Sequence, residues 1–181
     1  NSVVGYTVEA STDAGSSWSA VSSGTCSSLS SSGPATSCTA TGLTAKTDYQ
    51  FRVTSTYTGG PAAASGASTA VTTATAPDAP TIGTTTKTGN LELTGNWTPN
   101  SANNSPVTSQ TVEFVSNGSN TITSGTCANV SGGATSCTAT GLSNSTAYVF
   151  RVKATNAAGT SSYSADSASV TTQIAPGAPT I

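Results

Sequence analysis

The chain repeats itself at an offset of 99 residues, from Thr41 to Thr140, and this repeat constrains its fold more than any other feature. Three segments recur at that offset: Thr-Gly-Leu at 41–43 and 140–142, Tyr-x-Phe-Arg-Val at 49–53 and 148–152, and APDAPTI at 76–82, which returns as APGAPTI at 175–181. A period of this length corresponds to a whole domain rather than to one unit of a solenoid. We therefore expect copies of one small domain along the 181 residues.

Aligning the two copies predicts the domain boundaries. Residues 76–174 form a complete copy, residues 1–75 form a copy that lacks its first two strands, and residues 175–181 form a linker and the start of a following repeat. The strand-like segment LELTGNW at 91–97 has no counterpart in the first copy. We therefore expect the first copy to expose apolar surface. Either further residues of a longer polypeptide or a strand donated by another chain would cover that surface.

Alternating apolar residues predict β-strands throughout the chain. Tyr148, Phe150 and Val152 are separated by single residues, the period-two pattern of a strand with one buried face. The same spacing occurs at Tyr49, Phe51 and Val53, at Leu91, Leu93 and Trp97, at Val112 and Phe114, and at Tyr6 and Val8. Gly-containing and Asn-containing turn sequences separate these runs, and no segment has a helical apolar period. Several short strands in about 99 residues indicate a β-sandwich.

The composition excludes several classes of function. Asp, Glu, Lys and Arg make up 7% of the residues, where about 25% is usual, and the net charge is −2. Five Lys and Arg residues cannot form a basic surface for nucleic acid or for anionic lipid, and no apolar run is long enough for a membrane helix. The chain contains no His, which removes the commonest general base and metal ligand. Most hydrolytic arrangements are thereby excluded.

Several segments of the chain, taken together, resemble the bacterial fibronectin type III repeats. The resemblance is carried by APDAPTI at 76–82, Trp97, the GYTV segment at 5–8, Gly-Leu followed by Tyr-x-Phe-x-Val, and the turn NAAG at 156–159. It implies an all-β fold of tandem fibronectin type III, immunoglobulin-like, β-sandwiches. It also implies a tyrosine corner at Tyr49 and Tyr148, whose hydroxyls would bond to nearby backbone. Gln110 stands where the family usually has a tyrosine, so the second core is expected to be more hydrated there.

The four cysteines occupy the same place in each copy. Their spacing, C-x11-C and C-x9-C around a Gly/Ser-rich turn, predicts the disulfides Cys26–Cys38 and Cys127–Cys137. One disulfide per domain implies an oxidising, extracellular compartment. Zinc would need CxxC pairs or His, so no metal and no other cofactor is predicted.

Two patterns suggest carbohydrate chemistry, but structural roles explain them better. Residues 11–18 fit the S-x-D-x-G-x-x-W shape of the sialidase Asp-box, which is a hairpin-turn motif, so we expect a turn that Trp18 covers. A glycosidase needs two acids about 5–9.5 Å apart, whereas Glu9 and Glu113 are equivalent strand positions that we expect to face solvent in separate domains. No catalytic residue is predicted. Direct carbohydrate binding through Trp18 and Tyr57 is a further hypothesis.

Five asparagines begin N-x-[ST] sequons, all in the second copy: Asn96, Asn103, Asn117, Asn129 and Asn144. Several sequons should arise by chance in a chain so rich in Ser, Thr and Asn. They are candidate glycosylation sites, and Asn96, which directly precedes Trp97, is expected to be the least accessible.

The sequence therefore predicts a non-catalytic, extracellular structural or adhesive repeat segment of a microbial surface protein or filament. Its expected partners are neighbouring repeats or copies of the same protein, with surface glycans or proteins as further candidates, and neither nucleic acid nor membrane insertion. The alternative is a spacer or accessory module of a secreted glycan-degrading enzyme. A catalytic domain in the flanking sequence would favour this alternative, whereas further 99-residue copies would favour the structural role.

Overall fold

The structure is a computed structural model that describes residues 2–29, 35–116, 120–122 and 124–177. The chain divides into two compact units, Asn1–Ala74 and Thr75–Ile181, which we call unit 1 and unit 2. The division into a partial copy, a complete copy and the start of a third stays a prediction from the sequence.

The described residues of unit 2 form nine strands in two sheets. The strands are β6 (Thr81–Gly89), β7 (Glu92–Thr98), β8 (Ser109–Ser116), β9 (Asn120–Ile122), β10 (Val130–Ser131), β11 (Ser136–Ala139), β12 (Ala147–Asn156), β13 (Gly159–Thr160) and β14 (Val170–Thr171). The larger sheet has the order β10-β8-β12-β13, with β14 paired to β12 and β9 paired to β8, and the smaller sheet has the order β11-β7-β6. All of the pairs are antiparallel. A 3-10 turn, Gly125–Ala128, precedes β10.

The core of unit 2 lies between these two sheets. The smaller sheet contributes Leu93 and Trp97, and the larger sheet contributes alternate residues of β8 and β12. Phe114 faces Phe150 across the β8–β12 pair, with ring centroids 5.6 Å apart. Because the side chains of a strand alternate between its two faces, one face of each strand enters this core. The predicted all-β sandwich is thereby confirmed for unit 2.

Gly95 allows the two sheets to approach closely. A Cβ atom at this position would lie 2.9 Å from the Phe150 ring, closer than real Cβ contacts allow. The strand β7 therefore carries its large side chains, Leu93 and Trp97, on either side of a gap that the Phe150 ring fills.

Unit 1 contains one sheet among its described residues. The strands are β1 (Val3–Ser11), β2 (Ser19–Ala20), β3 (Asp48–Tyr57), β4 (Gly60–Pro61) and β5 (Val71–Thr72), and Thr25–Ser27 form a 3-10 turn. The order is β2-β1-β3-β4, with β5 paired to β3. The β1–β3 pair matches the β8–β12 pair of unit 2, but the residues of unit 1 that the structure describes include no second sheet.

Both units contain the predicted tyrosine corner. The backbone N–H of Ser143 donates to the Tyr148 hydroxyl over 3.1 Å, and the N–H of Thr44 donates to the Tyr49 hydroxyl over 3.0 Å. Both rings are buried, Tyr148 more completely than Tyr49. Within the described residues, no helix is long and apolar enough to cross a membrane.

Candidate functional surfaces

Each unit has one disulfide beside a short 3-10 turn. Cys26 bonds to Cys38 and Cys127 bonds to Cys137, with Cα atoms 5.0 and 5.1 Å apart. In unit 2 the bond links the 3-10 turn to β11, whose Cys137 is paired with Gly95 of β7. The disulfide therefore ties an irregular loop to the smaller sheet.

A glycine in the left-handed region lies at the start of each of these turns: Gly24 precedes the first, and Gly125 is the first residue of the second. Gly24 and Gly125 have φ values of 73° and 60°. A Cβ atom would lie 2.1 Å from the Thr39 carbonyl oxygen in the first case and 2.3 Å from that of Thr138 in the second. Only glycine combines this conformation with so close an approach to backbone. The sequence carried the signal, since Gly-Thr-Cys occurs in both copies, but the prediction of the disulfides did not use it.

The Asp-box segment of unit 1 forms a turn, as expected. The Ser11 hydroxyl accepts from the N–H of Gly15 at 2.9 Å, and the Asp13 carboxylate accepts from the N–H of Ser17 at 2.8 Å. Hydrogen bonds from Ser17 and Ser11 lower the pKa of Asp13 from 3.8 to about 2. The Trp18 indole donates to the Gly15 carbonyl at 3.0 Å, so its polar atom is used inside the turn.

An arginine on the outer face of each sheet holds together an acid and an aromatic ring. In unit 1, Arg52 pairs with Glu9 at 2.7 Å and lies 4.6 Å from the centroid of the Trp18 ring. In unit 2, Arg151 pairs with Glu113 at 2.7 Å and lies 4.4 Å from the Tyr163 ring. The aromatic rings come from different loops, so the alignment of the two copies did not predict this shared arrangement.

Glu9 and Glu113 lie on the outer faces of the sheets, in separate units, but neither is freely exposed. Their side chains are only 22% and 17% exposed; each is paired with an arginine, and Glu113 also accepts from the Tyr163 hydroxyl. Burial disfavours the charged form of Glu113, but hydrogen bonds from Tyr163 and Arg151 outweigh it, so the pKa of this carboxyl is lowered. An ion-paired carboxylate of lowered pKa is a poor proton donor at neutral pH.

The two aromatic residues of the carbohydrate-binding hypothesis are both half-buried. Trp18 lies against Arg52, and Tyr57 ends β3, where it is paired with Val3 and Gly60. Neither ring is an isolated, fully exposed platform. Among the described residues, no three Cys, Asp or Glu side chains come together in a group that could hold a metal ion.

The four sequons within the described residues differ in accessibility. Asn96 and Asn103 are half-buried, and their side-chain amides donate to the backbone carbonyls of Thr84 and Ala76 respectively. Asn129 and Asn144 are exposed. Asn117 lies outside the described residues.

Gln110 is buried, and its side-chain amide makes all of its hydrogen bonds with other protein atoms. Its Oε1 accepts from the Trp97 indole N–H at 2.6 Å. Its amide nitrogen donates to the carbonyls of Ser131, Gly132 and Ala134 at 3.0, 3.0 and 2.8 Å. The expected hydration at this place is thus replaced by a hydrogen-bonded link between β7, β8 and the turn after β10.

An irregular segment lies along β12 where a regular strand would otherwise pair with it. Three serines of this segment contact the backbone of β12, and we call them the serine ladder: Ser161, Ser164 and Ser167. Their hydroxyls accept from the backbone N–H groups of Ala154, Val152 and Phe150 at 3.0, 2.9 and 2.9 Å. Their own N–H groups donate to the carbonyls of the same three residues. Because three residues of this segment span two residues of β12, a regular ladder cannot form, and the hydroxyls supply the missing acceptors.

Unit 1 contains two rungs of the same kind. Ser65 and Ser68 accept from the N–H groups of Val53 and Phe51, both at 3.0 Å. Ala62 holds the place of the third serine, and its own N–H donates to the Ser55 carbonyl at 2.8 Å. The ladder was missed in the sequence, because a period of three has no signal in a segment where serine is so frequent.

Comparison with known proteins gives one family and one kind of fold. A family model described as "Fibronectin type III domain" matches residues 78–170, just over half of the chain. A search of curated proteins found no match. Among solved structures, domains A168–A170 of titin match 92% of the chain at 19% identity with a TM-score of 0.58, and the FN1–FN3 domains of chicken CNTN1 match 95% at 21% identity with a TM-score of 0.43. The chain spans 54% and 57% of the length of these two structures.

Proposed function

The chain belongs to the fibronectin type III family, and from this premise we propose that it is a non-catalytic, extracellular structural or adhesive repeat segment of a microbial surface protein or filament. Fibronectin type III domains are a non-catalytic module type of adhesion and structural proteins. To this general role the proposal adds an extracellular location, a microbial origin and an arrangement in tandem repeats.

The observation that carries the proposal is that these polar side chains form ion pairs with one another or hydrogen bonds with the backbone of the sheets. Glu9 and Glu113 are each paired with an arginine, at 2.7 Å in both units. The serine-ladder hydroxyls accept from the backbone of β12. An active site needs polar groups aimed at a cleft with perturbed, functional pKa values. These groups instead make hydrogen bonds and ion pairs on one sheet of each unit, which suits a spacer or a display module.

Two further features support an extracellular location. Disulfides persist in oxidising compartments and are rare in the cytosol, and both units have one. Charged residues make up only 7% of the chain, so its surface is wetted by hydroxyls and amides. Such a surface interacts weakly with nucleic acid and anionic lipid, because both depend on basic residues.

Immunogold electron microscopy tests the proposal. Antibodies raised against the 181-residue chain would be applied to intact, unpermeabilised cells and to the medium that they secrete. We expect labelling along rods or filaments at the cell surface. Absence of label from intact cells and the medium, with label in thin sections of the same cells confined to the cytosol, would refute the proposal. Label that purifies with a secreted glycan hydrolase would instead favour a spacer or accessory module of that enzyme.

We also propose that a glycan on this chain would attach to Asn129 or Asn144. Both are exposed, whereas the amides of Asn96 and Asn103 are bonded to backbone. Intact-mass measurement of the native protein, before and after Asn129→Gln and Asn144→Gln, tests this. A glycan found on Asn96 would contradict the ordering, and a mass equal to that of the bare chain would remove the proposal.

A further inference from the structure

The connection between the two units lies at Ala74, where unit 1 ends. Ala74 is exposed, whereas Thr73 before it and Thr75 after it are both half-buried. Among the described residues, no hydrogen bond joins Ala74 to either unit. Its two neighbours are hydrogen-bonded, and each of them is bonded to a different unit.

Unit 1 holds the chain up to Thr73. The backbone N–H of Thr73 donates to the Thr47 carbonyl over 3.0 Å. Its hydroxyl accepts from the N–H of Thr47 at 3.1 Å and donates to the Thr44 carbonyl at 2.7 Å. The same bonds recur in unit 2, where Thr172 exchanges them with Thr146. Three hydrogen bonds therefore fix Thr73 to unit 1.

Unit 2 holds the chain from Thr75 onward. The N–H of Thr75 donates to the Asn103 carbonyl over 3.2 Å, and its own carbonyl accepts from the Asn156 side-chain amide at 2.8 Å. The Asn103 side-chain amide donates to the Ala76 carbonyl at 2.7 Å and to the Asp78 carboxylate at 3.0 Å. We call Asn103 and Asn156 the asparagine clamp.

The asparagine clamp is fixed within unit 2. Asn156 is only 5% exposed. Its amide nitrogen also donates to the carbonyls of Ala102 and Ser105, and its Oδ1 accepts from the N–H groups of Ala158 and Gly159. Because all of these partners belong to unit 2, the clamp forms without any contribution from unit 1.

Two prolines restrict the chain after the clamp. Pro77 and Pro80 are both buried, and the proline ring fixes φ near −65°. The residue before a proline is confined to extended conformations, which restricts Ala76 and Ala79. The backbone is therefore held on both sides of Ala74.

We propose that units 1 and 2 are connected by a one-residue joint at Ala74, which keeps their spacing constant and limits their independent rotation. One residue spans at most about 3.6 Å, whereas the ends of a flexible six-residue linker are about 13 Å apart on average. The joint concerns how freely the units reorient, so it is compatible with any arrangement of the two. It would serve a filament and an enzyme spacer equally, and so does not depend on the proposed function.

Nitrogen-15 relaxation of the 181-residue chain tests the joint. Backbone order parameters of about 0.85 mark a rigid backbone, and values below about 0.6 mark a flexible one. We expect rigid values at Thr73 and Thr75 and a lower value at Ala74 alone. Flexible values at both Thr73 and Thr75 would overturn the proposal.

The tumbling times of the two units provide a second measurement. A six-residue Gly-Ser insertion after Ala74 is the positive control, because it replaces the joint by a flexible linker. Since tumbling time grows with volume and unit 1 holds only residues 1–74, unit 1 should tumble up to about twofold faster in this variant than in the parent. If unit 1 tumbled as fast in the parent as in the insertion variant, the joint would be refuted.

Matched variants test the asparagine clamp. Asn103→Gly removes the side-chain amide but keeps the backbone, since glycine readily adopts the φ of 53° at this position. Flexible order parameters should then spread from Ala74 to Ala76. Asn104→Gly is the control, because Asn104 has a similar φ of 63°, is exposed and makes no side-chain hydrogen bond among the described residues.

The control should leave the order parameters as they are in the parent. The same spread in both variants, or no spread in Asn103→Gly, would overturn the role of the clamp. Because the parent and the insertion variant leave the clamp unaltered, the test of the joint stands even if Asn103→Gly unfolds unit 2.

Discussion

Replacing Gln110 by leucine should destabilise unit 2 strongly, although leucine is apolar and similar in size. The Trp97 indole loses its acceptor, and a buried unsatisfied group costs about 1–3 kcal/mol. The two hydrogens of the amide nitrogen are shared among the carbonyls of Ser131, Gly132 and Ala134, so about two hydrogen bonds are lost there, at about 0.5–1.5 kcal/mol each. Leucine burial returns about 1–2 kcal/mol. The net expectation is a loss of about 3 kcal/mol.

Urea denaturation measures this loss of unfolding free energy, followed by circular dichroism and by the backbone amide NMR signals of unit 2. For a domain of about 100 residues, 3 kcal/mol corresponds to a fall in Tm of roughly 12–20 °C. A double-mutant cycle with Trp97→Phe isolates the indole bond, whose coupling energy should be about 1 kcal/mol. The cycle matters because leucine also changes packing, which the single variant cannot separate.

Gln50→Leu in unit 1 is a matched control. The Oε1 atom of Gln50 is buried without a hydrogen-bond partner among the described residues, and its amide nitrogen makes one bond, to the Ser68 carbonyl. We expect its replacement to change stability by less than about 1 kcal/mol. A Gln110→Leu protein as stable as the parent would refute the argument, because it would mean that the four polar contacts contribute no net stability.

Three further predictions follow from the same framework. Ser167→Ala should cost about 1–3 kcal/mol, because it leaves the buried N–H of Phe150 without its acceptor, and urea denaturation measures it. Reducing both disulfides should cost each unit roughly 2–3 kcal/mol while the circular dichroism spectrum stays that of a β-protein; a loss of that spectrum would contradict this. The Asp13 turn should be intact above about pH 4 and should weaken as the pH falls through about 2, since the pKa of the folded state lies below the usual 3.8. Carbon-13 NMR titration should give that midpoint, and Ser17→Ala should raise it.

Alternation of residue types predicted the sheets because it reports directly on burial. Tyr148, Phe150 and Val152 were expected on one face of a strand, and all three are buried on β12. Trp97 and Leu93 were placed on one face in the same way, and both are in the core. These predictions needed no knowledge of which strands are neighbours, since a period of two fixes the faces of a strand locally.

Apart from the tyrosine corner, the polar contacts were not predictable, because each depends on a partner in another segment of the chain. Glu113 was expected to be exposed from its strand parity alone, yet Tyr163, 50 residues later, donates to it. Gln110 was expected to bring hydration because it stands where the family usually has a tyrosine, and its four hydrogen-bond partners lie in segments whose register the sequence does not specify. Alternation along a strand predicts which face of the sheet a side chain lies on. It does not predict which loop packs over that face.

The low charge of the chain changes how its strand edges are protected. Proteins commonly place lysines on exposed edges to prevent strand-to-strand association, but this chain has only five Lys and Arg residues. Along β12 the serine ladder does this instead, since its hydroxyls occupy the backbone N–H groups of Phe150, Val152 and Ala154. Charge repulsion at an edge is weakened by salt, whereas hydroxyl-to-backbone bonds do not depend on it. The protection of β12 by the serine ladder therefore does not depend on ionic strength.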